Sequence, residues 1–339
     1  MIIASLLFFF VSTLNIPCDF EKEMALSTRS QSSLVQTSED IKNLQFFKTL
    51  YEKNRHFLLD ETPSKQIPKT FHYIWLGPRP FPTVSIEYLR SWEKKHPDWQ
   101  FKFWTDVDRE PPLKTMQKNL IKDFSFRQLK SCYDNCDNVA EKAVILCYEI
   151  LLQEGGLYID HDVLPFTNFD LFNERLDFYC ALEQLAPTIL SSSVYATHHI
   201  LGSIANHPIL QKSIDWLAEN WQDLEASFSG NHLSAIENRV RHRSFAALQE
   251  GLLRRETPST TRDLVFPATF LYPAKGSLRI ANHLHEKSWL KKESFFEKKL
   301  QRQLAEIEKQ HRRALLAICM TFMVNLVGWI FFLKMKEGR

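Results

Sequence analysis

Gly155-Gly156-Leu157-Tyr158-Ile159-Asp160-His161-Asp162-Val163 compresses a turn, a buried strand and two carboxylates into nine residues. The paired glycines permit a tight turn from helix to strand, and Leu157, Ile159 and Val163 read as a short buried strand. Strand alternation then puts Asp160 and Asp162 on one face. Two carboxylates side by side repel each other unless a cation or a proton sits between them. The pair is therefore a candidate Mn2+ or Mg2+ site. Hard divalent ions take oxygen ligands and commonly complete their shell with phosphates, so the partner this implies is a nucleotide diphosphate. The plain alternative is a surface turn with two solvated aspartates, and the Gly-Gly turn and apolar frame weigh against it.

Working upstream, Val139, Ala143, Leu146, Cys147, Ile150 and Leu151 recur at helical spacing, so a helix over 139–154 delivers the chain to the glycines. Further back, Ile67-Pro68-Lys69-Thr70-Phe71-His72-Tyr73-Ile74-Trp75-Leu76-Gly77 is an aromatic and β-branched run stopped by Gly77-Pro78, which predicts a first strand. Leu89 and Trp92 suggest a helix, and Trp99-Gln100-Phe101-Lys102-Phe103-Trp104 alternates as a second strand. Strand, helix, strand predicts an α/β sheet whose ligands sit beyond the carboxyl ends of the strands. Trp75 and the Asp160–Asp162 pair both fall there.

A chain of 339 residues with 44% apolar content has ample material for a core. A net charge of +2 is too mild to make nucleic acid the partner. The six cysteines, at 18, 132, 136, 147, 180 and 319, show neither paired metal-ligand spacing nor the density of a disulfide scaffold. Residues 1–18 hold an apolar segment that reads equally as a signal or an anchor. Residues 19–66 read as a polar linker and a leading helix, the latter from Ile41, Leu44, Phe47, Leu50 and Tyr51. The main domain is assigned to 67–290 and a basic charged helix to 291–313. Arg239, Arg241, His242 and Arg243, with Arg254 and Arg255, form a basic cluster read as a solvated helix face. Ala314 to Leu333 carries no charge and is flanked by Arg312-Arg313 and by Lys334 and Lys336. At about 1.5 Å per residue it reaches roughly 30 Å, so the expectation is a C-terminal transmembrane helix and a single-pass membrane location, with the side of the main domain left open.

Ile67-Pro68-Lys69, His72, Ile74-Trp75, Trp104-Thr105-Asp106 and Gly155-Gly156-x-Tyr158-x-Asp160-x-Asp162 together resemble the glycosyltransferases with a DXD sugar-binding region, the group of yeast Golgi and inositol-phosphoceramide mannosyltransferases and large clostridial glucosylating toxins. The resemblance implies a single-sheet, GT-A-like fold and a metal-dependent, retaining transfer from a UDP- or GDP-linked sugar to a protein, glycan or lipid acceptor. It implies donor contacts from Trp75, Asp160 and Asp162, with both aspartates on the metal. Ser288-Trp289 is similar to the Ser-Trp that closes the family's donor site. One departure stands out: where the family has an Asp and, three residues on, an Arg before Gly-Gly, this chain has Val144 and Cys147. Glu141 lies one turn from the first of these. His72 and His161 read as packing residues, Glu149 and Glu183 as ordinary surface carboxylates.

Two other classes compete. A catalytically silent, glycosyltransferase-like scaffold or binding protein at a membrane is favoured by Val144 and Cys147. A phosphatase of the haloacid-dehalogenase type would also follow a strand with Asp160-x-Asp162, yet Leu164 stands where that class carries Thr or Val.

Overall fold

The computed structural model describes residues 19–285 apart from 25, 27–31, 61, 63–64, 186–192, 231–232, 256–259 and 274–279, with 310–311, 313–314 and 320 beyond. The chain divides into two compact units, 1–286 and 287–339, and the fold described lies in the first.

The first unit opens with α1 (Phe20–Glu23) and α2 (Ser38–Asn54). Thr37 starts α2 through a reciprocal capping box with Asp40, which satisfies two backbone donors that a helix start leaves orphaned. Phe20 and Met24, in the stretch read as linker, are buried against the core. Then come β1 (Thr70–Ile74), α3 (Thr83–Lys95), β2 (Gln100–Thr105) and β3 (Gln117–Leu120). After α4 (Lys130–Asp134), α5 (Val139–Glu154) runs into β4 (Gly156–Ile159). The predicted first and second strands and the helix before the glycines are present.

The rest of the unit holds β5 (Val163–Pro165), α6 (Asp170–Arg175), β6 (Phe178–Leu182), β7 (Ala196–Ser203), α7 (Pro208–Ser227), α8 (Leu233–Arg241), α9 (Ala247–Leu253), β8 (Asp263–Phe266) and β9 (Ala281–His283). The main sheet has the order β3-β2-β1-β4-β7-β6-β8, and β5 pairs with β9 in a small sheet of its own. β1 runs parallel to both β2 and β4, whereas β7 runs antiparallel to β4.

This order positions the site. From β1 the chain builds outward through β2 and β3, then returns to place β4 on the other side of β1. A crevice opens at such a reversal, beyond the carboxyl ends of β1 and β4. Because β7 is antiparallel, its first residues lie beside the last of β4.

Packing holds this corner rigid. Phe71 of β1 touches the rings of Trp92, His96, Trp99 and Phe101 at centroid distances from 4.5 to 5.2 Å. Burying each large apolar side chain contributes roughly 1.5–3 kcal/mol. The Trp92 indole donates to the carbonyl of Val163 at 2.8 Å, tying α3 to the segment just after the two aspartates. α5 is buried at every position from Val144 to Leu152, so it is a core helix rather than an amphipathic cover. Asn138 caps its start, and Gly155 ends it at φ 66°.

The α/β class therefore stands, built on one mixed main sheet. The expected transmembrane helix does not. Among the described residues no helix is long and apolar enough to cross a membrane, and this corrects both the span assigned to 314–333 and the single-pass location drawn from it. Of that segment only Ala314 and Met320 are described. The apolar segment 1–18, nearly all of the basic helix 291–313, and Ser288 and Trp289 lie outside the described residues.

Candidate active site

Asp160 and Asp162 do come together, but not by strand alternation. β4 ends at Ile159, His161 and Asp162 form a turn, and β5 starts a different sheet at Val163. The amide of Val163 donates back to the carbonyl of Asp160 at 3.3 Å, closing the turn. A turn lets successive side chains converge where a regular strand would hold them apart.

Each carboxylate has partners from elsewhere in the chain. Tyr158 donates its hydroxyl to Asp160 Oδ1 at 2.6 Å, and His199 Nδ1 meets Asp160 Oδ2 at 2.7 Å. His283 Nε2 lies 3.4 Å from Asp162 Oδ1. His283 is brought there by register, since it sits opposite Val163 in the β5–β9 pair. His199 is brought there by the β4–β7 ladder, which continues as the amide of Asp160 donates to the carbonyl of His199 at 3.0 Å.

His199 is held between two acids. Its Nε2 lies 3.1 Å from Glu183 Oε2. Burial opposes charge on this imidazole, but Asp160 and Glu183 together outweigh it and push its pKa up to about 10. Burial likewise works against ionisation of Glu183, and His199 overrides it, holding the carboxyl down at about 2. Desolvation also opposes charge on the partly buried Asp160, yet His199 keeps it well below the usual carboxylate range. Asp162 is lowered too: burial is offset by the hydrogen bond and charge of His283. Among the described residues, ligand atoms of Asp160, Asp162 and His283 lie within 4.8 Å of one another, as do those of Asp160, His198 and His199. Two carboxylates and an imidazole at this spacing suit a divalent cation.

Trp75 lies just past β1, where its amide continues the β1–β2 ladder by donating to the carbonyl of Trp104 at 2.9 Å. The indole N–H is engaged by the carbonyl of Arg79 at 2.8 Å, and the ring meets His161 edge-on at 5.1 Å. His161 thus joins Trp75 to the aspartate turn, and its Nδ1 pairs with Ser85 Oγ at 2.8 Å. His72 is also structural: it accepts from the Trp104 indole at 3.1 Å and bonds the carbonyl of Gly155 at 2.9 Å.

The two carboxylates read as ordinary surface groups are not. Glu149 is fully buried and accepts from the amides of Arg127, Gln128 and Leu129. Glu183 belongs to the His199 cluster. The basic cluster is corrected as well: Arg239 and Arg243 are buried, and Arg243 pairs with Glu141 and, at 2.8 Å, with Glu225. Val144 and Cys147 are buried on α5, and burial, with the charge of Asp160 adding to it, pushes the Cys147 thiol well up. Neither offers a polar group to a sugar.

The residues that sequence reasoning missed are His198, His199, His283 and Tyr272, whose hydroxyl meets His283 Nδ1 at 3.2 Å. Four of the chain's twelve histidines fall in two tight pairs, 198–199 and 283–285, which was the available signal.

Residues 82–180 match the family described as "Glycosyltransferase sugar-binding region containing DXD motif". Inositol phosphoceramide mannosyltransferase 3 of Schizosaccharomyces pombe is 26% identical over 147 residues, 43% of this chain and 36% of that protein. The chain thus spans little more than a third of that relative's length. Among solved structures, the PaToxG glycosyltransferase is 19% identical with a TM-score of 0.47, covering 64% of this chain and 79% of its own. The catalytic domain of alpha-toxin from Clostridium novyi is 12% identical with a TM-score of 0.39, covering 66% and 72%. The resemblance drawn from the sequence motifs holds for the region around the two aspartates, and the relatives carrying it are named as glycosyltransferases.

Proposed function

We propose that this chain is a glycosyltransferase that takes a sugar from a UDP- or GDP-linked donor, holding the diphosphate through a divalent cation at Asp160 and Asp162 and retaining anomeric configuration. The working domain is assigned to 67–290, led by 19–66. The observation that carries the reading is the convergence of two carboxylates from the matched sugar-binding region with His283, from a strand far along the chain.

The residues present fit a cation by their chemistry. Bound there, Mn2+ or Mg2+ would offset the negative charge that builds on the departing diphosphate as the sugar passes through an oxocarbenium-like state. The protein's own share is orientation. Tyr158 and His199 each hold one oxygen of Asp160, so the carboxylate is fixed before any ligand arrives. Trp75, latched by Arg79 and backed by His161, offers a rigid aromatic wall beside the turn for the nucleobase. The acceptor is a protein, glycan or lipid.

One observation favours a second reading, a catalytically silent nucleotide-binding protein. Val144 and Cys147 replace the family's sugar-contacting pair, and Glu141, one turn before Val144, is spent on Arg239 and Arg243.

The test is nucleotide release by the full chain with Mn2+ and a panel of UDP- and GDP-sugars. Release with one donor, reduced at least about a hundredfold in Asp160→Asn and Asp162→Asn, is the expected result. Nucleotide binding without release from any donor would transfer the assignment to the silent protein.

A further inference from the structure

β7 is not a regular strand. Against β6, Tyr179 is paired with Gly202 but Ala181 with Thr197, so two steps along β6 match five along β7. The residues between those pairs, His198 to Leu201, are out of register with β6, while on the other edge His199 still accepts from the amide of Asp160. Adjacent residues in a flat strand point to opposite faces; a bulge re-aims them. Here a ring nitrogen of each imidazole lies with a carboxylate oxygen of Asp160 inside a 4.8 Å group.

His198 is 7% exposed, and its Nδ1 is buried with no hydrogen-bond partner. An unsatisfied buried polar atom costs about 1–3 kcal/mol, so its persistence on a ring that reaches Asp160 calls for a ligand. His199 Nδ1 now pairs with Asp160 at 2.7 Å, so a cation taking that nitrogen displaces one proton, and Glu183, 3.1 Å from Nε2, keeps the other. Metal-binding imidazoles characteristically donate their second N–H to such a carboxylate, which fixes the ring and its tautomer. Phe245, carried on a π-helical turn (His242–Ala246), walls off both imidazoles at 5.2 and 5.6 Å. Single π-turns of this kind occur preferentially at functional sites.

We infer that Asp160, His198 and His199 form a cation site of their own, for a borderline transition ion of the Zn2+ or Co2+ class. Two imidazoles and one carboxylate favour such ions over Mg2+, which demands a shell of oxygens. The site shares Asp160 with the Asp160–Asp162–His283 group and rests on the glycosyltransferase reading only through that residue. It needs neither Asp162 nor a nucleotide.

The experiment titrates the full chain, freed of metal by a chelator, with Co2+ and follows the visible absorption of the bound ion. Expected is a band that excess Mg2+ does not displace, that Asp162→Asn retains, and that weakens in affinity at least about tenfold in His198→Gln. Loss of the band in Asp162→Asn, with His198→Gln unchanged, overturns the inference and leaves the histidines as packing. Should His198→Gln fail to fold, pulsed electron paramagnetic resonance of Cu2+ bound to Asp162→Asn decides: two coupled imidazoles support the site, one or none overturns it. Failure of nucleotide release alongside the expected Co2+ behaviour removes the transferase reading and keeps the metal site. The opposite pattern does the reverse.

Discussion

His283 and His199 lie face to face, their ring centroids 3.8 Å apart and their planes 24° from parallel. One imidazole is delivered by the small β5–β9 sheet, the other by the bulge in β7. The stack steers His283 Nε2 toward Asp162, and the Tyr272 hydroxyl meets the other ring nitrogen at 3.2 Å. His283→Gln should therefore lower Mn2+ affinity about 10–100-fold with little change in unfolding midpoint. Electron paramagnetic resonance of free Mn2+ measures this directly, and a change below about threefold would remove His283 from the cation group.

Gly156 joins helix and strand where no side chain fits. At φ +104° an added Cβ would stand 2.7 Å from the carbonyl oxygen of Thr70 and 2.8 Å from His72 Nε2. Both obstacles are fixed, one by the β1–β4 ladder and the other by hydrogen bonds on both ring nitrogens. Gly156→Ala should cost about 2–4 kcal/mol in urea unfolding, from backbone strain and overpacking together. A loss below about 1 kcal/mol would mean that the turn relaxes freely.

These two residues mark how far the sequence could be read. The glycine turn, the α5 periodicity and the alternating aromatics of β2 are local signals, and the elements they predict are present. The convergence at Asp160 is not local. His199 arrives beside β4 and His283 through a pairing with β5, and the two close histidine pairs in the sequence do not say which carboxylates they meet. Burial misled in the same way: Arg243 and Glu183 look like surface residues until their partners, Glu141 and His199, are seen. The uncharged run at 314–333 carried a strong compositional signal for a span that no described helix supplies.

Acid should destabilise the fold through buried neutral histidines. His96 accepts the Phe169 amide at 2.9 Å and bonds the Trp92 carbonyl, and burial lowers its pKa to about 4; burial does the same to His72. With folded values below the ordinary 6.5, the unfolded chain binds protons that the folded chain refuses between pH 6.5 and 4. Stability from each is complete above about pH 6.5 and falls as pH drops toward 4, on the order of 3 kcal/mol per histidine. The thermal midpoint should decline over that window, and His96→Phe should decline less steeply. Equal slopes for the two proteins would refute the assignment.

Glu141 decides between a structural and a sugar-binding role for the start of α5. It is buried and paired with Arg239 at 3.6 Å and with Arg243, whose guanidinium also lies 3.4 Å over the Trp221 ring and donates to the Trp221 carbonyl at 2.9 Å. Glu141→Gln would leave that cation buried with only the half-exposed Glu225 opposite, a loss of about 3–5 kcal/mol. Adding Arg243→Met should recover part of it, since it removes one of the two cations that Glu141 serves and leaves Arg239 with Glu225. If the carboxylate is fully committed to Arg239 and Arg243, nucleotide release by the double variant should match that of the unaltered chain. A protein of normal stability but with release reduced tenfold or more would instead make Glu141 the sugar's carboxylate, acting one turn before the position that Val144 occupies.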